Sequence, residues 1–257
     1  MSSTHGHKEL KNIRGFLRAL LICLMAVIGI VLQPEDASAI EVDLELVLAV
    51  DVSSSVDPVE AQLQKNGYLH ALVHPYVIDA ITTGPKGRIA VIYIEYAGKG
   101  FQRVVADWAV IQDLKSAQSF IDILSRTPVN SAPSTSISAV IDFSVNQIKN
   151  NTHRARRSVI DISGDGPNSD GRDVWEARDD AVARGITING LPILSSRSDP
   201  KGFSPSVGVT SHYQRFVIGG PGSFLMRVNE FENIAPTLIK KLIREIRDTT
   251  QQLSMKQ

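Results

Sequence analysis

The sequence predicts a doubly wound α/β fold: a mainly parallel six-stranded sheet with one antiparallel edge strand and helices on both faces. Short apolar runs such as Leu44–Val50, Val159–Ser163 and Ile186–Ile193 lack the in-out alternation of a half-solvated sheet. Segments with apolar residues at helical spacing separate them, which is the order of a parallel sheet with crossover helices. Composition agrees, since 257 residues with 43% apolar, 21% charged and 6% aromatic content exclude collagen-like, coiled-coil and disordered chains.

Residues 1–39 are read as a signal peptide and residues 40–257 as one domain. Lys8, Lys11, Arg14 and Arg18 precede an apolar run from Ala19 to Leu32, and Ala37-Ser38-Ala39 supplies the small residues of a cleavage site. The run is 14 residues long, short of the roughly 20 needed to cross a bilayer. An uncleaved membrane anchor is the rival reading. Cys23 lies in this segment with Ile22 before it, which argues against lipidation. The domain is therefore expected to be exported, periplasmic or extracellular. It has no cysteine, so neither disulfides nor thiolate metal sites are open to it. Formal charge is zero for the whole chain and −1 for residues 40–257, so no global field favours nucleic acid or an anionic membrane.

Taken in order, Leu44–Val50 is a buried strand interrupted only by Glu45. Asp57-Pro58-x-Glu60 opens a helix with an N-cap, a first-turn proline and a capping box. Ile89–Tyr96 is the next strand, and Gly98 and Gly100 separate it from a hairpin partner at Gln102–Val110. Asp113 caps a helix bearing Leu114, Ala117, Ile121 and Leu124, and a second helix carries Ile137, Val140, Ile141, Val145 and Ile148. Val159–Ser163 is a strand, Arg172–Arg184 a helix stopped by Gly185, and Ile186–Ile193 a strand. Phe216–Ile218 is expected as the last strand, and Leu238, Leu242, Ile243 and Ile246 stripe the closing helix. Ser195–Ser211 is the least structured stretch.

Three loops carry the chemistry. Asp51-Val52-Ser53-Ser54-Ser55 follows the first strand, Pro133-Ser134-Thr135-Ser136 precedes a helix, and Ser163-Gly164-Asp165-Gly166 follows a central strand. In open parallel sheets ligands sit beyond the carboxyl ends of the strands, where the strand order reverses, so all three loops can meet there. Oxygen donors from Asp, Ser and Thr suit a hard cation such as Mg²⁺. Hydroxyls are neutral, so the ion would keep much of its charge and attract a carboxylate from a partner.

Asp51-x-Ser53-x-Ser55, then Thr135, then Asp165-Gly166, in this order on alternating strands and helices, resembles a von Willebrand factor type A domain. The resemblance covers residues 43 to about 247. Ile160-Asp161-Ile162-Ser163-Gly164-Asp165-Gly166-Pro167-Asn168 and Val217-Ile218-Gly219-Gly220-Pro221-Gly222 resemble an uncharacterised bacterial exported subgroup of it. It implies a Rossmann-like fold and a metal-ion-dependent adhesion site in which Asp51, Ser53, Ser55, Thr135 and Asp165 surround Mg²⁺ or Mn²⁺, with Ca²⁺ less suited. The protein partner would present a carboxylate, and the module would not be catalytic. Two positions depart from the pattern: Ser54 and Ser134 stand where glycine is usual, so the second loop is expected to be stiffer or differently shaped.

The residues admit blander readings. A Ser-rich turn can simply cap the next helix, Thr135 can cap the helix of Ile137, and Asp165-Gly166 can be turn chemistry. Asp161, inside an apolar strand, needs a partner and is read as structural. His153, Arg154, Arg156 and Arg157 lack an aromatic platform and are read as a solvated loop. His70 and His74 have zinc spacing but no metalloprotease glutamate, and Pro75 ends their run. Gly219, Gly220 and Gly222 shape a turn. The alternative function is a Mg²⁺-dependent hydrolase of phosphoesters with the cation as Lewis acid. Against it, Ser53 replaces the second aspartate of an aspartyl-nucleophile phosphatase, and no histidine lies in the three loops.

Overall fold

A computed structural model describes residues 39–194, 208–230 and 233–247. The signal-peptide reading and residues 195–207 of the Ser195–Ser211 loop lie outside them.

The central sheet holds β2 (Glu45–Asp51), β3 (Ile89–Tyr96), β4 (Gln102–Ile111), β6 (Ser158–Gly164) and β7 (Ile186–Pro192), in the order β4-β3-β2-β6-β7. All pairs are parallel except β3–β4, so the hairpin supplies the expected antiparallel edge. The described α-helices are α1 (Pro58–Leu72), α2 (Pro75–Thr82), α3 (Leu114–Arg126), α4 (Ile137–Asn150), α5 (Val174–Val182), α6 (Val209–His212) and α7 (Ile234–Arg247). β2 is buried along its whole length, which is why its sequence shows no alternation. Its residues nevertheless divide by period two: Leu46, Leu48 and Val50 join a core with Leu72, Phe120, Leu238 and Leu242, while Val47 and Ala49 join one with Val140, Ile141 and Ala177. Each buried Leu, Ile or Val side chain among them contributes about 1.5–3 kcal/mol.

Three expectations are corrected. The main sheet has five strands, not six, because Phe216–Ile218 does not form a strand. Tyr213–Val217 winds into a π-helical turn continuing α6, and the following chain pairs beside β7 through isolated bridges, Gly219 with Ile188, Leu225 with Gly190 and Val228 with Ile193, rather than as a strand. An apolar triplet serves a buried turn as well as a strand. His70 and His74 do not share one helix: α1 ends at Leu72, before Pro75, and His74 is the N-cap of α2, accepting from Tyr76 N–H, with Pro75 as the first residue of that new helix. His153–Ala155 is not a plain loop: it is β5, pairing in parallel with β1 (Ile40–Val42) in a separate two-stranded sheet.

Strand register positions the site. Asp51 pairs with Tyr96 on β3, and Val50 pairs with Ser163 on β6. The chain leaves β2 for β3 on one side and later returns to β6 on the other, so the order reverses at β2. The loops after β2 and β6 emerge side by side there.

Candidate functional site

The fold brings the three loops together and laces them pairwise. Ser55 Oγ donates to Asp165 Oδ1 at 2.8 Å, joining first to third. Ala132 N–H donates to Val52 O at 3.3 Å, joining the first to the segment that leads into the second. Ser169 and Asp170 N–H groups both donate to Thr135 O, at 2.8 and 3.1 Å, joining second to third.

Four of the five sequence-derived residues form one hydrogen-bonded chain. Asp51 Oδ1 accepts from Ser53 N–H at 2.7 Å, Ser53 Oγ lies 2.9 Å from Ser55 Oγ, and Ser55 reaches Asp165. Thr135, 6% exposed, stands beside them rather than in the chain: a methyl built on Gly166 would lie 3.8 Å from its Oγ1. Capping does not explain these hydroxyls. The α1 cap is Asp57, which accepts from Val59 and Glu60 N–H, and the α4 cap is Ser136, which accepts from Ala139 N–H.

The two carboxyls are short of positive charge. Asp51 is fully buried, and burial first, then the charge of Asp165, push its carboxyl up to about 7. Asp165 is also raised by burial, with the Ser55 hydrogen bond pulling the other way. Asp51 Oδ2 is buried without a hydrogen-bond partner. Among the described residues no three His, Cys, Asp or Glu side chains gather as a metal cluster, so a cation here would depend on hydroxyl as well as carboxylate oxygens. A buried carboxylate oxygen without a partner, on a residue linked through Ser53 and Ser55 to a second carboxyl, offers the all-oxygen donors a hard divalent ion takes.

Sequence reasoning missed Tyr96, Gly164, His212 and Tyr213. A methyl on Gly164 would lie 2.8 Å from Asp51 Oδ2, 2.8 Å from Tyr213 OH and 2.9 Å from Tyr96 OH, so the missing side chain lets three elements converge under the cup. Tyr96 OH donates to Ser163 O at 3.2 Å. Glycine before Asp165 was the available signal for that crowding; the tyrosines are apolar residues in apolar runs until the fold is known. His212 Nε2 accepts from Asn168 N–H at 3.3 Å, which places a histidine from far along the chain against a residue two positions past the third loop. Of the two departures from the family pattern, Ser134 has φ 65°, the left-handed region glycine enters freely, whereas Ser54 does not. Asp161 finds its partner in Lys241, at 2.6 Å.

A family model described as "Protein of unknown function (DUF1194)" matches residues 41–250. No curated protein matches the chain. Among solved structures, BatB of Bacteroides thetaiotaomicron is 19% identical with a TM-score of 0.53, over 80% of this chain and 100% of that one. Proximal thread matrix protein 1 of the mussel byssus, solved with a zinc-occupied MIDAS motif, is 14% identical with a TM-score of 0.54, over 82% of this chain and 50% of that one. A von Willebrand factor type A protein from Catenulispora acidiphila is 13% identical with a TM-score of 0.50, over 80% of this chain and 43% of that one. The chain thus spans half or less of the mussel and Catenulispora proteins. At these identities the likeness is one of fold.

Proposed function

This chain belongs to the DUF1194 family of proteins of unknown function and carries the von Willebrand factor type A fold, and from that premise we propose an exported, non-catalytic module that binds a protein partner through a divalent cation. Asp51, Ser53, Ser55, Thr135 and Asp165 would hold the ion, Mg²⁺ or Mn²⁺ before Ca²⁺. The observation that carries the reading is the buried, unpartnered Asp51 Oδ2 at the end of a chain of hydroxyls leading to a second carboxyl.

The chain's own residues do most of the work. Ser53 N–H fixes one oxygen of Asp51 and leaves the other available. Ser55 orients Asp165 from the opposite loop. Burial denies both carboxyls water and so makes a cation the favourable partner. When bound, Mg²⁺ or Mn²⁺ supplies residual positive charge that a partner's Asp or Glu carboxylate can share. The mussel protein's zinc-occupied MIDAS motif, in a structure of similar fold, supports a divalent ion in such a position. Export rests on the signal layout of residues 1–39.

Titration calorimetry tests the reading. Wild-type protein is expected to give heat with Mg²⁺ or Mn²⁺ and Asp51→Ala none. A pull-down from the exported fraction should recover a partner with Mg²⁺ and lose it with EDTA. Absence of heat with Mg²⁺, Mn²⁺ and Ca²⁺, or partner binding unchanged in Asp51→Ala, overturns it. Phosphoester turnover that disappears in Asp51→Ala would replace the binding reading with the hydrolase alternative.

A further inference from the structure

Asp161 at the middle of β6 faces Lys241 and Glu245 of α7, and the side chains of all three have zero exposure. Lys241 Nζ lies 2.6 Å from Asp161 Oδ1 and 2.5 Å from Glu245 Oε1. Glu245 Oε1 also accepts from Asn189 Nδ2 at 2.9 Å, and the Phe224 ring centroid lies 5.1 Å from Nζ. Leu238 and Leu242, on the same helix face, are fully buried as well. Two carboxylates share one ammonium, and Asp161 Oδ2 and Glu245 Oε2 have no hydrogen-bond partner. In so apolar a setting an ion cluster with orphaned oxygens is a poor way to hold a helix on a sheet.

We propose that Lys241 and Asp161 are the site of a self-formed intramolecular isopeptide bond, with Glu245 as the proton carrier. Condensation turns an ammonium and a carboxylate into one neutral amide, which removes two buried charges at a stroke.

The steps balance. The Lys241 ammonium passes a proton directly to the Asp161 carboxylate, leaving a free amine and a neutral carboxyl. The Nζ lone pair attacks Asp161 Cγ to form the new C–N bond. Glu245 accepts a proton from that nitrogen and returns it to the departing hydroxyl as the C–O bond breaks. The products are an amide and one water molecule, with Glu245 regenerated. No oxidant or co-reactant is needed.

Three features of the site serve this chemistry. Contact distances hold amine and carboxyl as a preformed reacting pair, which removes the entropic cost of bringing them together. Complete burial excludes the water that would favour the reverse reaction. Burial and the charge of Asp161 push Glu245 up to about 7, so near neutrality it can take and give a proton. The only cysteine of the chain is Cys23, so the domain has no disulfide with which to tie its last helix down. A bond from α7 to a central strand does that.

The test is a peptide map of the denatured full-length protein by tandem mass spectrometry, and it does not depend on the cation reading. The segment holding Lys241 is expected to be joined to the segment holding Asp161, the pair lighter than their sum by one water. A mass loss alone is not decisive, because Asp165-Gly166 can also dehydrate; the linked fragment ions are. Lys241→Arg, which keeps the charge, and Glu245→Gln, which keeps the shape, should show the peptides unlinked with a native far-ultraviolet circular dichroism spectrum. Unlinked peptides in folded wild-type protein overturn the proposal, and linkage in Glu245→Gln equal to wild type overturns the role given to Glu245.

Discussion

Single residues decide how the cup is shaped. Ser134 sits at φ 65° directly before Thr135, where an L side chain pays about 1–2 kcal/mol that glycine does not. Ser134→Gly is therefore expected to raise the melting temperature by a few degrees in scanning calorimetry, less the entropy glycine loses on folding. Gly164 is a second such position, where a methyl would meet three oxygens at 2.8–2.9 Å. Asp51 and both tyrosines are fully buried and have nowhere to retreat. Gly164→Ala should cost about 1–3 kcal/mol in chemical denaturation and abolish the heat of Mg²⁺ titration. Retention of both stability and heat would show that the floor of the cup is softer than these contacts imply. The candidate residues Asp51, Ser53, Ser55, Thr135 and Asp165 stand out in the sequence because their order along the chain is a motif, and the fold links Asp51, Ser53, Ser55 and Asp165 by hydrogen bonds. The tyrosines do not stand out, because Tyr213 comes within reach of Asp51 only through a fold that no local pattern encodes.

At the scale of elements, what the sequence made visible is what short-range chemistry specifies. The Asp57–Glu60 capping box forms as its spacing predicts: Glu60 N–H donates to Asp57 Oδ1 at 2.8 Å, and Asp57 N–H donates to Glu60 Oε2 at 3.1 Å. This box fixes where α1 begins, at Pro58, three residues past Ser55, so it also fixes the first loop. Asp57→Ala is expected to cost about 1 kcal/mol by denaturant unfolding and to weaken Mg²⁺ binding while leaving it measurable. Elements whose identity depends on distant partners were misread. Phe216-Val217-Ile218 is apolar in a turn or a strand, and only the bridges that β7 makes with Gly219 and Leu225 decide between them. β1 and β5 are three residues each and exist only because they pair with one another. On α7 the sequence shows an apolar stripe of Leu238, Leu242, Ile243 and Ile246, yet Lys241 and Glu245 lie on the same buried arc. Their charge hid them, since a charged residue is assigned to solvent unless its partner, here Asp161 on β6, is already known.

Across the whole molecule, the buried carboxyls make stability depend on pH and on cations together. Asp51, with an ordinary value of 3.8, and Glu245, with one of 4.5, are each pushed up to about 7 in the folded protein, chiefly by burial. A folded-state value above the unfolded one means that the native state holds the proton more tightly. The stability this contributes is fully present below about pH 4 and is lost as pH rises through about 7. The metal-free protein should accordingly melt at a lower temperature at pH 8 than at pH 5.5, opposite to a protein stabilised by paired surface carboxylates. The sign for Glu245 is the same whether Asp161 and Lys241 face it as ions or as an amide, because burial is its leading cause. Magnesium should act against the loss at one end only. Binding to the native state adds about 2.7 kcal/mol at a hundredfold excess over the dissociation constant, worth about 2–4 °C per kcal/mol in a domain of this size. It should do so at pH 8, where protons no longer compete for Asp51, and barely at pH 5.5. Differential scanning calorimetry of two variants separates the contributions. Asp51→Asn should lose the Mg²⁺ response and part of the pH dependence, whereas Glu245→Gln should lose only its own share of the pH dependence and respond to Mg²⁺ as wild type does. A Mg²⁺ response at pH 8 that survives Asp51→Asn would place the cation elsewhere on the molecule.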